Sequence, residues 1–319
     1  MARRKKSKKL INSAVSIIIV IITLIIALIC QNKEIQNYIS NTISNLTSKN
    51  STPENEPIST IQESKNGTKT IIIGSGDSNN ENNLHVYYID VGQADSILIV
   101  NKNQSALIDA GNNEDGENVV NFIKSKGITK LDYVIGTHPH EDHIGGLDDV
   151  INNMEVDKIY LPKIQTNTKT YEDVLQAIQN KNKKISSFNK GDKFTIGDAN
   201  LEVMTDSILD KNNLNLSSNI IRMEFNGTSF LFTGDAEIEN EKTIIWTQTD
   251  ILKVGHHGST TSTSQNFLNQ IKPKYAIISV GKDNDYGHPN KKILERLENA
   301  KVEIFRTDEC GTIEIIVTK

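Results

Sequence analysis

Cysteine is nearly absent from this chain. Only Cys30 and Cys310 carry a thiol among 319 residues, one near each end, so no disulfide framework is expected. Residues 84–319 are numerous enough to bury a core without covalent staples, so the lack of cysteine does not argue against an exterior location. No serine-nucleophile motif, phosphate-cradling glycine loop or dinucleotide-binding motif is present either, which removes nucleotide-cofactor chemistry. Histidine is also sparse and uneven: of seven in the chain, none falls between His143 and His256.

What is present begins with charge. Residues 1–10 hold six Lys or Arg, and residues 11–30, INSAVSIIIVIITLIIALIC, are apolar apart from a few small polar side chains. A helix of about 20 such residues spans a bilayer core of ~30 Å. The basic cluster should stay in the cytoplasm, which sends the remainder outward. An uncleaved single-pass anchor in the cell membrane, with the following domain extracellular, is therefore expected. A cleaved signal peptide shares the basic start, but the apolar run is long for one and no small-x-small site follows. Ile29 before Cys30 speaks against lipid modification, which wants a small residue there.

Residues 31–83 are rich in Asn, Ser, Thr, Lys and Glu and contain Pro53 and Pro57, the composition of a flexible tether. Thr68–Gly76, TKTIIIGSG, is a brief exception, either an edge strand or an apolar blip. Setting aside the six basic residues of the first ten, the formal net charge of −5 becomes about −11 for residues 11–319. Such an acidic body weighs against broad non-specific nucleic-acid binding. Lys181, Lys183 and Lys184 form a local basic cluster, read either as a solvated helix end or as a contact for one phosphate.

From Leu84 the pattern changes to short β-branched runs separated by turns. LHVYYIDV, SILIVN and SALIDA predict consecutive strands of one sheet. Glu117–Lys126 reads as a helix, and LDYVIGT as a buried strand. Later come a helix near Tyr171–Asn180, strands at Ile220–Phe225 and Ser229–Thr233, a helix from Ala236, the strand ILKV, and a last strand within TIEIIVTK. Strands in two groups with interspersed helices fit two facing sheets covered by helices.

The most informative stretch is Thr137–Gly146, THPHEDHIGG. His138 and His140 sit two apart, so in an extended segment both imidazoles leave the same side and can close on one ion. Asp142 and His143 follow past a turn, where the changed chain direction aims a carboxylate and a third imidazole at a second ion. Asp235 emerges from the apolar run FLF, placed either to bridge two ions or to cap the helix after it. His256 and His257 follow ILKVG. Neighbouring residues point apart, so one of them is expected to complete the second metal's ligands; His256 is favoured and His257 left as a supporting or substrate-contact residue.

The HxHxDH spacing after a hydrophobic strand resembles the signature of metallo-β-lactamase-fold hydrolases. The stretches IDVGQADSILI (Ile89–Ile99), SALIDAG (Ser105–Gly111), FLFTGDAE (Phe230–Glu237), LKVGHHGS (Leu252–Ser259) and YGHPN (Tyr286–Asn290) are similar, in order, to the hydrolase domain of ComEC-like competence proteins. The resemblance covers residues 84–319 and implies a four-layer αββα sandwich. It further implies two divalent ions, Zn²⁺ or Mn²⁺, held by His138, His140, Asp142, His143, Asp235 and His256. It implies hydrolysis by a metal-activated water that Asp142 orients. His288, in YGHPN, reads as a proton donor, a phosphate contact or a structural loop histidine. Asp109 is expected to accept an N–H from a ligand histidine, and Asp95 to orient the first metal site. Asp90 and Gln93 lie beside the same strand ends, where a turn-stabilising role competes. His85 reads as structural.

One departure stands out. Many relatives place another histidine ligand between the HxHxDH loop and the bridging aspartate, where this chain offers only Asn215, Ser217, Ser218 and Asn219. A looser, more oxygen-rich first site is expected. The resemblance makes single-stranded DNA the first substrate expected, as a phosphodiester. The single apolar run supplies no multi-span channel, so transport by this chain alone is not expected. The acidic body fits a small or cell-wall ester, such as a phosphocholine or teichoic-acid phosphodiester, more readily; a lactam fits the motifs less well. A catalytically idle metal-binding surface domain is the remaining reading.

Overall fold

The computed structural model describes residues 59–63 and 67–319. The stretch read as a membrane anchor lies outside the described residues, and among those described no helix is long and apolar enough to cross a membrane. In chain order the strands are β1 (Ser59–Glu63), β2 (Lys69–Ile73), β3 (Leu84–Tyr88), β4 (Ser96–Asn101), β5 (Gln104–Ala110), β6 (Lys130–Ile135), β7 (Glu155–Tyr160) and β8 (Ile185–Ser186). There follow β9 (Lys193–Ile196), β10 (Ala199–Val203), β11 (Ile221–Phe225), β12 (Thr228–Phe232), β13 (Ile251–Lys253), β14 (Tyr275–Ile278), β15 (Glu303–Arg306) and β16 (Ile313–Val317).

Two sheets result, ordered β1-β2-β16-β3-β4-β5-β6-β7-β8 and β15-β14-β13-β12-β11-β10-β9. Alternation along each strand decides which layer a side chain joins. Ile97 and Ile99 of β4, with Phe230 and Phe232 of β12, fill the space between the sheets. Leu98, on the opposite face of β4, packs under the helices Gly116–Ser125, Leu147–Asn153 and Lys169–Asn180. Leu231, opposite on β12, packs under the helices Gln265–Ile271 and Lys291–Asn299. Three apolar layers between four structural layers give the αββα sandwich.

The helix expected from Ala236 is one short turn, Ile238–Glu241. A larger correction concerns the tether. TKTIIIGSG contributes β2, which pairs parallel with β16 and is itself covered by β1, so it is an interior strand of the larger sheet. Ile71 is fully buried in the inter-sheet core, and that burial is why the folded part starts before Leu84.

The polarity of the strands positions the site. β5 and β6 run parallel, as do β12, β13 and β14, so their C-terminal ends gather at one edge of the sandwich, the usual location of function in such sheets. Gly234 lets the two edges meet: its φ is +50°, and a Cβ there would lie 2.9 Å from the Thr137 side chain of the facing sheet.

If β2 belongs to the core, Ile71→Ala should cost about 2–5 kcal/mol of unfolding free energy in a urea titration. Ile61→Ala on β1, 42% exposed, should stay within about 0.5 kcal/mol of the parent. Equal, small effects at both positions would return this segment to the tether.

Candidate functional site

The loop leaving β6 is shaped by its own residues. His138 is fully buried, His140 is extended (φ −88°, ψ 155°), and Glu141–Ile144 makes a single helical turn. That turn swings Asp142 and His143 back toward the other sheet. Gly145 lets the loop close, since a Cβ there would be 2.3 Å from the carbonyl carbon of Asn112.

Four donor atoms then converge: Oδ2 of Asp142, Nε2 of His143, Oδ1 of Asp235 and Nε2 of His257, all within 4.8 Å of one another. His143 Nε2 is 3.2 Å from Asp235 Oδ1 and 3.9 Å from Asp142 Oδ2, and His257 Nε2 is 3.2 Å from Asp142 Oδ2 and 3.6 Å from Asp235 Oδ1. Tetrahedral ligands around a divalent ion at its usual bond lengths sit about 3.3 Å apart. His143 Nε2 and Asp235 Oδ1 are buried with no hydrogen-bond partner, which a shared cation would remedy. On both counts this residue set fits a metal.

The second oxygen of Asp235 faces the other way. Its Oδ2 is 4.0 Å from His138 Nε2 and 3.7 Å from His256 Nε2; His138 Nε2 lies 2.9 Å from His140 Nδ1. One carboxylate thus stands between two sets of imidazoles. The geometry reverses the preference between the twin histidines: His257 joins the four-donor group, while His256 lies on the Oδ2 side. The cause is a tight turn in which both residues are left-handed, with φ of 49° and 50°, a conformation costing non-glycine residues on the order of 1–3 kcal/mol each. His256 also approaches Asn215, whose Nδ2 is 3.3 Å from Nε2, so the stretch that lacks the expected histidine does reach the site. Ser218 acts on the backbone, its Oγ accepting the Asp235 N–H at 3.2 Å.

Asp109 behaves as expected. It accepts from His143 Nδ1 at 2.8 Å, and from the Thr137 N–H and hydroxyl at 2.7 Å each, so Nε2 of His143 is aimed at the four-donor group. Asp95 lies behind the twin pair and the loop: Oδ1 is 3.5 Å from His257 Nδ1 and Oδ2 is 3.7 Å from His143 Nδ1. Asp95, Asp109 and His143 form a second cluster of potential ligands, but the ammonium of Lys253 already pairs with Asp95 there. Lys253 is the one buried Lys or Arg among the described residues. Sequence reasoning passed over it, although a charge inside the apolar strand ILKV was a visible signal. Also missed was Thr137, the hydroxyl that seats Asp109.

Asp90 joins neither group: it is exposed, accepts from the Gly92 N–H at 3.3 Å and serves the turn. Gln93 pins the opposite loop, its Oε1 accepting the Gly281 N–H at 3.1 Å. His85 pairs with Glu314 at 2.9 Å, away from the site. A cavity of about 320 Å³ opens over Asp142, Asp235 and His257 and includes His140, His288 and Tyr286 in its wall. Nδ1 of His288 is buried there without a partner. Lys181 and Lys183 line a different cavity, beside Met154.

Electrostatics agree with the geometry. Burial, reinforced by His143, holds His138 well below the usual imidazole range, so it keeps a lone pair for a metal. Burial disfavours charge on His143, yet the carboxylates of Asp235, Asp109 and Asp142 overcome it and hold that imidazole well above its ordinary value. Burial likewise opposes ionisation of Asp235, and the His143 and His257 imidazoles reverse it, leaving the carboxyl well below its usual range. The pocket attracts positive charge, which a divalent ion supplies. Burial, then His256 and His257, lowers His288, so its imidazole is neutral near pH 7.

The sequence profile of the Metallo-beta-lactamase superfamily matches residues 89–282. This chain belongs to that superfamily. Its relatives include ComE operon protein 3 of Bacillus subtilis, 36% identical over 248 residues, covering 71% of this chain and 32% of that protein. Competence protein ComA of Neisseria gonorrhoeae is 26% identical over 240 residues, covering 73% of this chain and 32% of that protein. Recombination protein 2 of Haemophilus influenzae is 29% identical over 239 residues, 71% of this chain and 28% of that protein. These names are consistent with a ComEC-like branch of the superfamily, and the chain spans about a third of the length of the relatives it matches. Among solved structures, the metallo-beta-lactamase fold protein YhfI from Bacillus subtilis shares the fold, with a TM-score of 0.52 at 12% identity, covering 73% of this chain and 99% of that one.

Replacing Lys253 by Met should leave Asp95 buried and unpaired, costing about 3–5 kcal/mol in chemical denaturation. Adding Asp95→Asn should restore a substantial part of the loss. A double variant no more stable than Lys253→Met would show that the ammonium does not compensate Asp95.

Proposed function

We propose that this protein is a divalent-metal-dependent phosphodiesterase, with single-stranded DNA as its preferred substrate. In this reading residues 11–30 anchor it in the cell membrane and the hydrolase domain lies outside. The convergence of Asp142, His143, Asp235 and His257 at ligand spacing, under an open cavity, supports it most strongly. The competence and recombination names of its relatives favour DNA over other diesters.

Two ions, Zn²⁺ or Mn²⁺, would have distinct sets of holders. His138, His140 and Asp235 would hold one, with His256 and Asn215 beside them. Asp142, His143, Asp235 and His257 would hold the other. When bound, divalent ions supply Lewis acidity and make water nucleophilic near neutral pH. The protein does the rest. The Asp109 carboxylate and the Ser279 carbonyl, each accepting an Nδ1–H, at 2.8 and 2.9 Å, hold the imidazole rings of His143 and His257 in one orientation. Asp142, half-exposed at the cavity floor, orients the attacking water. His288 offers the N–H of a neutral imidazole to a phosphoryl oxygen or the leaving group.

A second reading rests on the acidic body: a small or cell-wall ester, such as a teichoic-acid or phosphocholine diester, meets less repulsion than a polyanion. A lactam substrate and an idle metal-binding domain are its weaker variants.

The full chain, stripped of metal and re-supplied separately with Mn²⁺ and Zn²⁺, should cleave bis(p-nitrophenyl) phosphate and single-stranded DNA but not a cephalosporin. Diester cleavage without DNA turnover would transfer the proposal to the small-ester reading. Asp142→Ala should lower turnover by about 10²-fold or more; retained turnover with an intact fold would sink the assigned role. His257→Ala should lose about one equivalent of bound metal by elemental analysis. Unchanged stoichiometry would remove His257 from the ligand set.

A further inference from the structure

The cavity wall contains an aromatic residue, Tyr286, that metal chemistry does not use. Tyr286 is 74% exposed, and the other exposed large apolar side chains among the described residues, Ile61, Ile185, Leu209 and Ile245, are aliphatic and line no part of this cavity. Its place is fixed by the loop beneath it. Asn284 Nδ2 donates to the carbonyls of Gly281 at 2.9 Å and His288 at 2.6 Å, and its Oδ1 accepts the His288 N–H at 3.0 Å. Tyr286 is thereby presented at the tip of a closed turn. The far end of the loop is tied to the twin-histidine turn, the Asn290 N–H donating to the Gly258 carbonyl at 2.9 Å.

One face of the tyrosine ring stacks on His288, with centroids 5.8 Å apart and planes 17° from parallel; His288 in turn meets His256 edge-on at 5.7 Å. Three rings run from solvent to the ligand cluster, and the outermost leaves its second face to water. The charges of the loop do not make a phosphate clamp, because exposed Lys282 is matched by exposed Asp283 and Asp285. What the loop offers is a π-face held next to the place where a phosphodiester would be cut.

We infer that Tyr286 is a stacking platform for the nucleobase adjoining the scissile phosphate, so that the site selects nucleic acid over diesters without a planar base. The inference rests on the phosphodiesterase reading and names what that site recognises. Base stacking on aromatic side chains is sequence-tolerant, since every base has a π-face, which suits a single strand of any sequence.

The test reads binding, in the full chain carrying Asp142→Asn so that the strand is not cut. Fluorescence anisotropy compares a labelled oligothymidylate with an abasic deoxyribose-phosphate strand of equal length; any phosphate contact weakened by Asp142→Asn is common to both. The oligothymidylate should bind about 5- to 150-fold more tightly than the abasic strand. Adding Tyr286→Ala should collapse that ratio to about twofold or less, while Tyr286→Phe keeps it. The platform is refuted if the parent shows no base preference, if Tyr286→Ala retains the ratio, or if Tyr286→Phe abolishes it, which would assign recognition to the hydroxyl. A chain with native Asp142 that cleaves no diester would instead defeat the phosphodiesterase reading, and the binding ratio would still decide the fate of Tyr286.

Discussion

Negative charge buried where the two sheets meet is the constraint on which the rest of this structure depends. Asp95, Asp109 and Asp235 are at most 2% exposed, and Asp142 stands at their edge. An uncompensated buried carboxylate costs several kcal/mol. One ammonium, Lys253, is buried among them and attends to Asp95. Asp109 is met by Thr137 and His143, while Asp142 and Asp235 are left to the imidazoles of His143 and His257, which the carboxylates pull toward the cationic form, or to metal ions. The strand polarity, the close approach at Gly234 and the strained twin-histidine turn all serve to bring these groups together.

Asp235 carries the asymmetry of the site. Its Oδ1 side is tightly arranged, with Asp109 and Asp95 behind the imidazoles and donor spacings near those of a tetrahedral shell. Its Oδ2 side is looser: His138 stands 4.0 Å away, His140 is partly open to the cavity, and Asn215 and His256 occupy the remaining quarter. A group with a rigid surround discriminates among metals through geometry, whereas a loose one adapts to the ion available. The missing histidine between His143 and His256 thus has a structural counterpart in the uneven spacing of the two halves.

The parts legible in the sequence were those decided by local spacing. The HxHxDH loop after a buried strand, the aspartate leaving FLF and the carboxylate that orients His143 follow from period, turn and strand end, while the grouping of strands fitted two facing sheets and the family resemblance implied the four-layer sandwich. What stayed hidden depended on backbone conformation or on distant chain. Which of His256 and His257 reaches the four-donor group is decided by two left-handed residues, a conformation that glycine signals and histidine does not. The addition of β2 depended on a partner strand more than two hundred residues away, so its polar surroundings read as tether. Tyr286 was quoted within YGHPN, but its exposure at the cavity mouth is a tertiary fact.

Acidity and a polyanionic substrate can coexist if recognition is local. With about −11 of formal charge over residues 11–319, a long strand gains nothing from lying along the body, and binding driven by counterion release would be weak. Attraction on the proposed reading is confined to the ligand cluster, where divalent ions reverse the sign of the field within a few ångströms, and to a ring that engages a base without regard to charge. Such a site holds one or two nucleotides firmly and the rest hardly at all.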